Sequence, residues 1–211
     1  MSNKIIIKVC GMLDPENIQT LEKLDIDWMG FIFYPSSSRY VPDEDEFCAA
    51  IQSCAKVGVG VFVNEESEEI VRKFAKYRLN YVQLHGDETP DFCRQLHNAG
   101  CAVIKAFSVS SEADLRKTTD YEPFADYFLF DTKSSKRGGT GKRFDWSVLK
   151  AYRGTTPFLL SGGIDLEHVH DVRSFSHPLL AGVDLNSRFE LSPALKDSVK
   201  LEKFIHQLML K

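Results

Sequence analysis

A strand-like segment followed by a helix-like one, repeated eight times along 211 residues, constrains this chain more than any other feature. Ile5–Val9 is β-branched and apolar, as a buried strand is. Asp14-Pro15-Glu16 then supplies the N-cap, first-turn proline and first-turn acid of a helix running to about Leu24. Further strands are predicted over Trp28–Phe33, Val57–Val63, Asn80–Leu84, Ala102–Phe107, Asp126–Phe130, Pro157–Leu160 and Leu179–Asp184. Helices are predicted between and after them, over Asp45–Cys54, Ser67–Tyr77, Thr89–Ala99, Ser111–Thr118, Asp145–Tyr152, Asp165–Arg173 and Asp197–Leu210. Strands alternating with helices imply a parallel sheet. Eight units with no composition break to mark a linker predict a single-domain (β/α)8 TIM barrel over residues 1–211. An open doubly wound sheet is the alternative. It would want a Gly-rich fingerprint after the first strand, and Cys10-Gly11-Met12-Leu13 is not one.

Net charge is −4, which argues against a general nucleic-acid binder. Five cysteines (10, 48, 54, 93 and 101) are odd in number and form no C-x-x-C pair, so a reducing cytoplasm is expected and a disulfide framework or structural zinc is not. The N-terminus is interrupted too soon for a signal h-region, and no uncharged apolar run approaches membrane-spanning length.

Strands of a parallel barrel are buried on both faces and should read as continuous apolar runs. Several here do not. Side chains alternate along a strand, so Lys8 and Cys10 share a face of the first, Gln83 and His85 of the fourth, Leu129 and Asp131 of the sixth, and Gly182 and Asp184 of the eighth. Lys105 falls between Val103 and Phe107 on the fifth. These polar residues are expected near the C-terminal mouth, where barrels hold active sites. A structural pair such as Lys105 with Asp184 is the plainer account.

After Asp131 the chain enters a long Gly-rich loop carrying Lys133, Lys136, Arg137, Lys142 and Arg143, and it resumes at Asp145, a plausible N-cap. An anionic ligand and a solvated surface loop both fit. Ser161-Gly162-Gly163 ends a strand before a helix, a pattern that lets backbone N–H groups converge on phosphate, although Gly-Gly is also a common turn. Cys10 is either an inert core thiol or a nucleophile or base whose pKa Lys8 would lower. Asp131 is either a capping or ion-pairing residue or, in an apolar setting that raises its pKa, a general acid. Arg39 either clamps a carboxylate bidentately or lies on the surface. His168 and His170 read as solvated residues, and His85 has no assigned role.

With these residues placed, the chain resembles the phosphoribosylanthranilate isomerase family. The matching segments are Lys8-Val-Cys-Gly11, Gly30-Phe-Ile-Phe-Tyr-Pro35 with Ser38-Arg-Tyr40, Val59-Gly-Val-Phe-Val-Asn64, Val82-Gln-Leu-His-Gly86, Asp131-Thr-Lys133 with Gly138-Gly-Thr-Gly141 and Phe144-Asp-Trp146, and Ser161-Gly-Gly163. The resemblance implies a cytoplasmic enzyme of tryptophan biosynthesis, monomer or homodimer, that acts on a small phosphosugar without metal or organic cofactor. It implies an Amadori rearrangement of N-(5-phosphoribosyl)anthranilate to 1-(2-carboxyphenylamino)-1-deoxyribulose 5-phosphate. By the same resemblance Asp131 is the general acid and Cys10 the general base. Arg39 is expected near the anthranilate, and Gly162, Gly163, Asn186 and Ser187 on the phosphate. Where the family commonly has Ser-Ser-Gly, this chain has Asn186-Ser187-Arg188. Asn tolerates left-handed φ, so Asn186 is expected to carry that turn, with Arg188 pairing with phosphate or facing solvent.

Two other readings share the barrel. A histidine-pathway isomerase would show an Asp at the ends of the first and fifth strands, where this chain has Cys10 and Phe107. A non-catalytic phosphosugar binder would have no need of Cys10 or Asp131.

Overall fold

The computed structural model describes residues 5–132 and 146–210. The basic residues of the loop after Asp131, and Asp145 as an N-cap, lie outside the described residues. Eight strands close into a barrel: β1 (Ile6–Cys10), β2 (Trp28–Ile32), β3 (Val57–Phe62), β4 (Tyr81–Leu84), β5 (Ala102–Val109), β6 (Tyr127–Thr132), β7 (Phe158–Ser161) and β8 (Leu180–Leu185). Each is parallel to both neighbours, and β8 returns to β1 with Lys8 opposite Asp184.

A repeated device starts the barrel. The N–H of Ile7 donates to Asp27 Oδ2 (2.9 Å), that of Gly58 to Asn80 Oδ1 (2.8 Å), and that of Val103 to Asp126 Oδ2 (2.8 Å). Each acceptor stands just before the next strand in sequence, so it satisfies a buried donor while fixing the stagger of the neighbouring pair.

Alternation of side chains divides the core into two. Ile7, Val9, Met29, Phe31, Val82, Val103, Phe128, Phe130 and their like pack outward beneath the helices. Inside the barrel, Trp28 stacks on Tyr81 at 4.8 Å and meets Tyr127 edge-on at 5.2 Å, with Val59, Ile104, Ala106, Leu129 and Leu159 in the same cluster. The apolar residues fill the lumen, so polar side chains from the strands gather at the C-terminal mouth.

Helices α1 (Pro15–Glu22), α2 (Asp45–Ser53), α3 (Ser67–Lys76) and α4 (Pro90–Asn98) occupy the expected stretches. Asp14 and Thr89 cap α1 and α4 through the N–H groups of Asn17 and Phe92. The later connections are less regular than expected. α5 (Glu112–Leu115) is a single turn that continues as a 3-10 segment over Arg116–Phe124, where Thr118, Thr119 and Pro123 disfavour an α-helix. Trp146–Ala151 is wholly 3-10, and Leu166–His168 is a 3-10 turn leading into the short α6 (Val169–Ser174). His168 is not simply solvated, because its Nδ1 accepts from the Asp165 N–H at 3.0 Å.

Between β8 and α7 (Ser198–Met209) lies an element the sequence did not announce, a small antiparallel hairpin of β9 (Glu190–Ser192) and β10 (Leu195–Lys196). Asn17 of α1 holds it, donating from Nδ2 to the Lys196 carbonyl (3.0 Å) and accepting from the Lys196 N–H (2.8 Å). Among the described residues, no helix is long and apolar enough to cross a membrane.

Candidate active site

The C-terminal ends of β1, β4, β6, β7 and β8 converge on a cavity of about 340 Å³. Cys10, Gln83, His85, Asp131, Ser161 and Asp184 form its floor, with Gly162, Gly163, Asn186, Ser187 and Arg188 along one flank and Tyr34 and Ser37 across from them. Six of the seven expected site residues therefore share one space. Arg39 is not in the lining but stands directly beside it. A β-carbon at Gly11 would lie 2.6 Å from Arg39 Cδ and 2.9 Å from Asn186 Oδ1.

Cys10 ends β1 and is almost wholly buried, at 3% exposure, with its thiol over the backbone of Gly30 on β2. A β-carbon at Gly30 would sit 2.7 Å from Cys10 Sγ, so the glycine makes room for the thiol. Lys8, two residues earlier on the same face, is fully buried, and its Nζ donates to Asp184 Oδ1 at 2.7 Å. Burial alone would discharge Lys8, but Asp184 and Cys10 beside it hold it above its ordinary value. The expectation of a lowered thiol pKa is not met. Burial pushes Cys10 up, Lys8 and Lys196 pull it down, Asp184 pushes it up, and the net direction is upward. Lys8 therefore limits the rise without reversing it, because burial outweighs it and Asp184 opposes it.

Asp131 ends the inward face of β6, opposite Ser161 of β7. Its setting is polar rather than apolar: its side chain is 25% exposed, and His85 Nε2 lies 3.8 Å from Oδ2. His85 Nδ1 pairs with Gln83 Nε2 at 3.1 Å. If Nδ1 is the acceptor, the imidazole proton sits on Nε2, facing the carboxylate. Buried Gln83 Oε1 has no hydrogen-bond partner among the described residues. Asp184 joins this floor as a second carboxylate, accepting from Ser161 Oγ at 3.2 Å.

Lys105 does not pair with Asp184. It points away from the lumen beneath the helices, where Nζ donates to Glu88 Oε2 (3.0 Å) and to the carbonyls of Gly86 (2.8 Å) and Ala106 (3.1 Å). Val103 and Phe107 share its outward face, so Lys105 is not among the polar residues of the mouth, where it was expected.

Gly162 and Gly163 both adopt left-handed backbone, with φ of 94° and 64°. Two successive left-handed residues curl the main chain into a concavity that L side chains would strain. The segments that follow are short, so the backbone N–H groups count for more here than a helix dipole. On the other side of this flank, Asn186 has φ −143°, and Ser187–Phe189 form a 3-10 turn. Asn186 does not use left-handed backbone, and Arg188 needs none, so glycine is dispensable at that position. Ser187 and Arg188 are exposed at the rim.

Arg39 is aimed by a tight turn in the Pro/Ser loop, where its N–H donates to Ser37 Oγ (3.1 Å) and Tyr40 bridges back to Ile32. Its guanidinium does clamp a carboxylate bidentately, and that carboxylate belongs to the protein. Nε and Nη2 donate to Glu190 Oε1 and Oε2 at 2.7 and 2.5 Å. Lys196, with a fully buried side chain, donates to Glu190 Oε1 (2.6 Å) and to Asn186 Oδ1 (2.7 Å). Burial pushes the Glu190 carboxyl up, and Arg39 and Lys196 more than offset it, holding it below its usual range. Nothing in the sequence marked Glu190 or Lys196, whose pairing arises only in the folded barrel. Asp184 was visible as an inward residue but was assigned the wrong partner. Among the described residues, no three His, Cys, Asp or Glu side chains are grouped to hold a metal ion.

A chemical picture emerges of a buried thiol and a half-exposed carboxyl on the floor of one cavity, with a glycine concavity on its flank and a fixed arginine at its edge. The family model for N-(5'-phosphoribosyl)anthranilate isomerase matches residues 7–207. An N-(5'-phosphoribosyl)anthranilate isomerase of Phocaeicola vulgatus is 51% identical over 98% of this chain and 99% of its own length. The solved phosphoribosyl anthranilate isomerase of Thermotoga maritima superposes with a TM-score of 0.81 at 33% identity, covering 97% of this chain and 98% of its own. Another phosphoribosyl anthranilate isomerase, solved in complex with reduced 1-(o-carboxyphenylamino)-1-deoxyribulose 5-phosphate, superposes at 0.79 with 31% identity over 97% and 98% of the two chains.

Proposed function

This chain belongs to the N-(5'-phosphoribosyl)anthranilate isomerase family and is an isomerase of tryptophan biosynthesis, and we propose that Cys10 and Asp131 are the base and acid of its rearrangement. The observation that carries this assignment is their shared cavity, with one group at the end of β1 and the other at the end of β6. An aldose-to-ketose shift needs a donor at the ring oxygen and an acceptor at C2 of one pentose. The Asp131 carboxyl gives its proton to the ring oxygen as the C1–O bond breaks and the anilino nitrogen forms C=N. The Cys10 thiolate takes the C2 proton, yielding an enolamine. Tautomerisation moves a proton from the 2-hydroxyl to C1, and one proton passing from thiol to carboxylate restores both groups.

The remaining residues divide the binding. The Gly162-Gly163 concavity with Asn186 and Ser187 takes the phosphate, and Arg39 at the cavity edge meets the anthranilate carboxylate. Arg188 at the rim adds positive charge on the phosphate side. The five cysteines are free thiols, which supports a reducing, cytoplasmic setting.

Freshly generated phosphoribosylanthranilate added to purified protein should lose its fluorescence at a rate proportional to enzyme. Cys10→Ala and Asp131→Asn should each lower kcat by roughly 10²–10⁴-fold while still binding the reduced product analogue. A near-wild-type rate in either variant removes that residue from its role.

A further inference from the structure

Arg39 faces two possible carboxylates, one of its own chain and one of the ligand, and the geometry says how it divides them. Glu190 takes the Nε/Nη2 edge with both oxygens, at 2.7 and 2.5 Å. The remaining nitrogen, Nη1, has a 3.5 Å contact with the exposed Ser38 Oγ, at the limit of a hydrogen bond and easily replaced. Glu190 cannot drift to follow Arg39, because Lys196 pins it from behind at 2.6 Å and is itself tied to Asn186 at 2.7 Å. Burial reinforces this order: the side chains of Lys196 and Glu190 are 0% and 5% exposed, and that of Arg39 is 20%.

We propose that Glu190 is the positioning residue for Arg39: it occupies one edge of the guanidinium and leaves the Nη1 edge to receive the benzoate carboxylate of the substrate. The proposal rests on the reading that Arg39 meets the anthranilate. An arginine side chain left free would have to be ordered at each binding event, whereas a pre-fixed fork presents its donors at no such cost. Charge follows the same logic. Arg39, Lys196 and Glu190 together carry one net positive charge, matched to one ligand carboxylate. The chain of contacts also runs through Asn186 to the phosphate flank, so both anionic ends of the substrate rest on one hydrogen-bonded unit.

The test measures calorimetric affinities for two probes, reduced 1-(2-carboxyphenylamino)-1-deoxyribulose 5-phosphate and its phenylamino counterpart without the carboxyl. Their ratio isolates recognition of the carboxylate from that of the phosphate. Wild-type protein should favour the carboxylated probe by about tenfold or more, as a charge-assisted contact does. Glu190→Gln with Lys196→Met keeps the cluster at one net positive charge and removes the charged anchoring of Arg39. It also removes the Lys196–Asn186 contact on the phosphate flank, which weakens both probes alike and cancels in their ratio. In that double variant the preference should fall to about threefold or less, and Arg39→Leu should lower it as far. If both probes weaken equally in the double variant, Glu190 is merely structural and the proposal is overturned. If Arg39→Leu abolishes the preference and the double variant keeps it, the proposal is overturned and the reading of Arg39 stands. If Arg39→Leu keeps the preference, the reading of Arg39 itself fails. Should the double variant not fold, the wild-type complex decides. The Arg39–Glu190 pair must persist there with the benzoate on Nη1, and a Glu190 side chain swung away from Arg39 overturns the proposal.

Discussion

Cys10 lies between two lysine–carboxylate pairs, Lys8–Asp184 and Lys196–Glu190. Each lysine favours the thiolate, Asp184 opposes it, and burial decides the sign in favour of the thiol. A base of this kind works at neutral pH from a small deprotonated fraction. Turnover needs this thiolate and the Asp131 proton in the same molecule, so kcat/KM should fall along an alkaline limb set by the raised thiol, above the ordinary thiol range. Replacing the pair with Lys8→Met and Asp184→Asn should move that limb to higher pH, and a shift of one pKa unit corresponds to about tenfold in rate at pH 7. An unmoved limb counts against a thiolate base. Gly30 supplies a steric test of the same atom. A methyl there would meet Cys10 Sγ at 2.7 Å and the Cys10 Cα at 3.1 Å. Gly30→Ala should therefore lower kcat by about tenfold or more through misplacement of the thiol, with little change in affinity for the product analogue.

Elements at the two ends of the barrel do different work. At the N-terminal end Asp27, Asn80 and Asp126 satisfy strand N–H groups and set stagger, far from the cavity. Asn80→Ala should cost about 1–2 kcal/mol in urea unfolding and leave kcat unchanged; a lost kcat at full stability would contradict the division. The strands were legible because β-branched, apolar runs have few alternatives in a buried parallel sheet. Cys10, Asp131 and Gly162-Gly163 were legible because a polar or glycine residue at the end of such a run has no packing reason to be there. The 3-10 segments were not, since Thr118, Thr119 and Pro123 act on backbone that still follows a helical rhythm. Nor was the β9–β10 hairpin, whose strands of three and two residues are too short for period-two alternation to register. The Glu190–Lys196 and Lys8–Asp184 pairings exist only once the barrel closes, and no spacing in sequence carries them.

For the whole molecule, an aromatic and aliphatic lumen supports a polar ring at the C-terminal mouth, and closure of β8 onto β1 brings Asp184 to Lys8 and hence to Cys10. The account depends on this closure setting a thiol and a carboxyl against opposite sides of one sugar. The most direct measurement is a crystal structure of the protein bound to reduced 1-(2-carboxyphenylamino)-1-deoxyribulose 5-phosphate. The account predicts Cys10 Sγ within about 3.5 Å of C2 and an Asp131 oxygen about 3 Å from the oxygen that closes the ribose ring in the substrate. The phosphate should rest on Gly162 and Gly163. A sugar bound with either side chain out of reach, or with both on the same side, would contradict it.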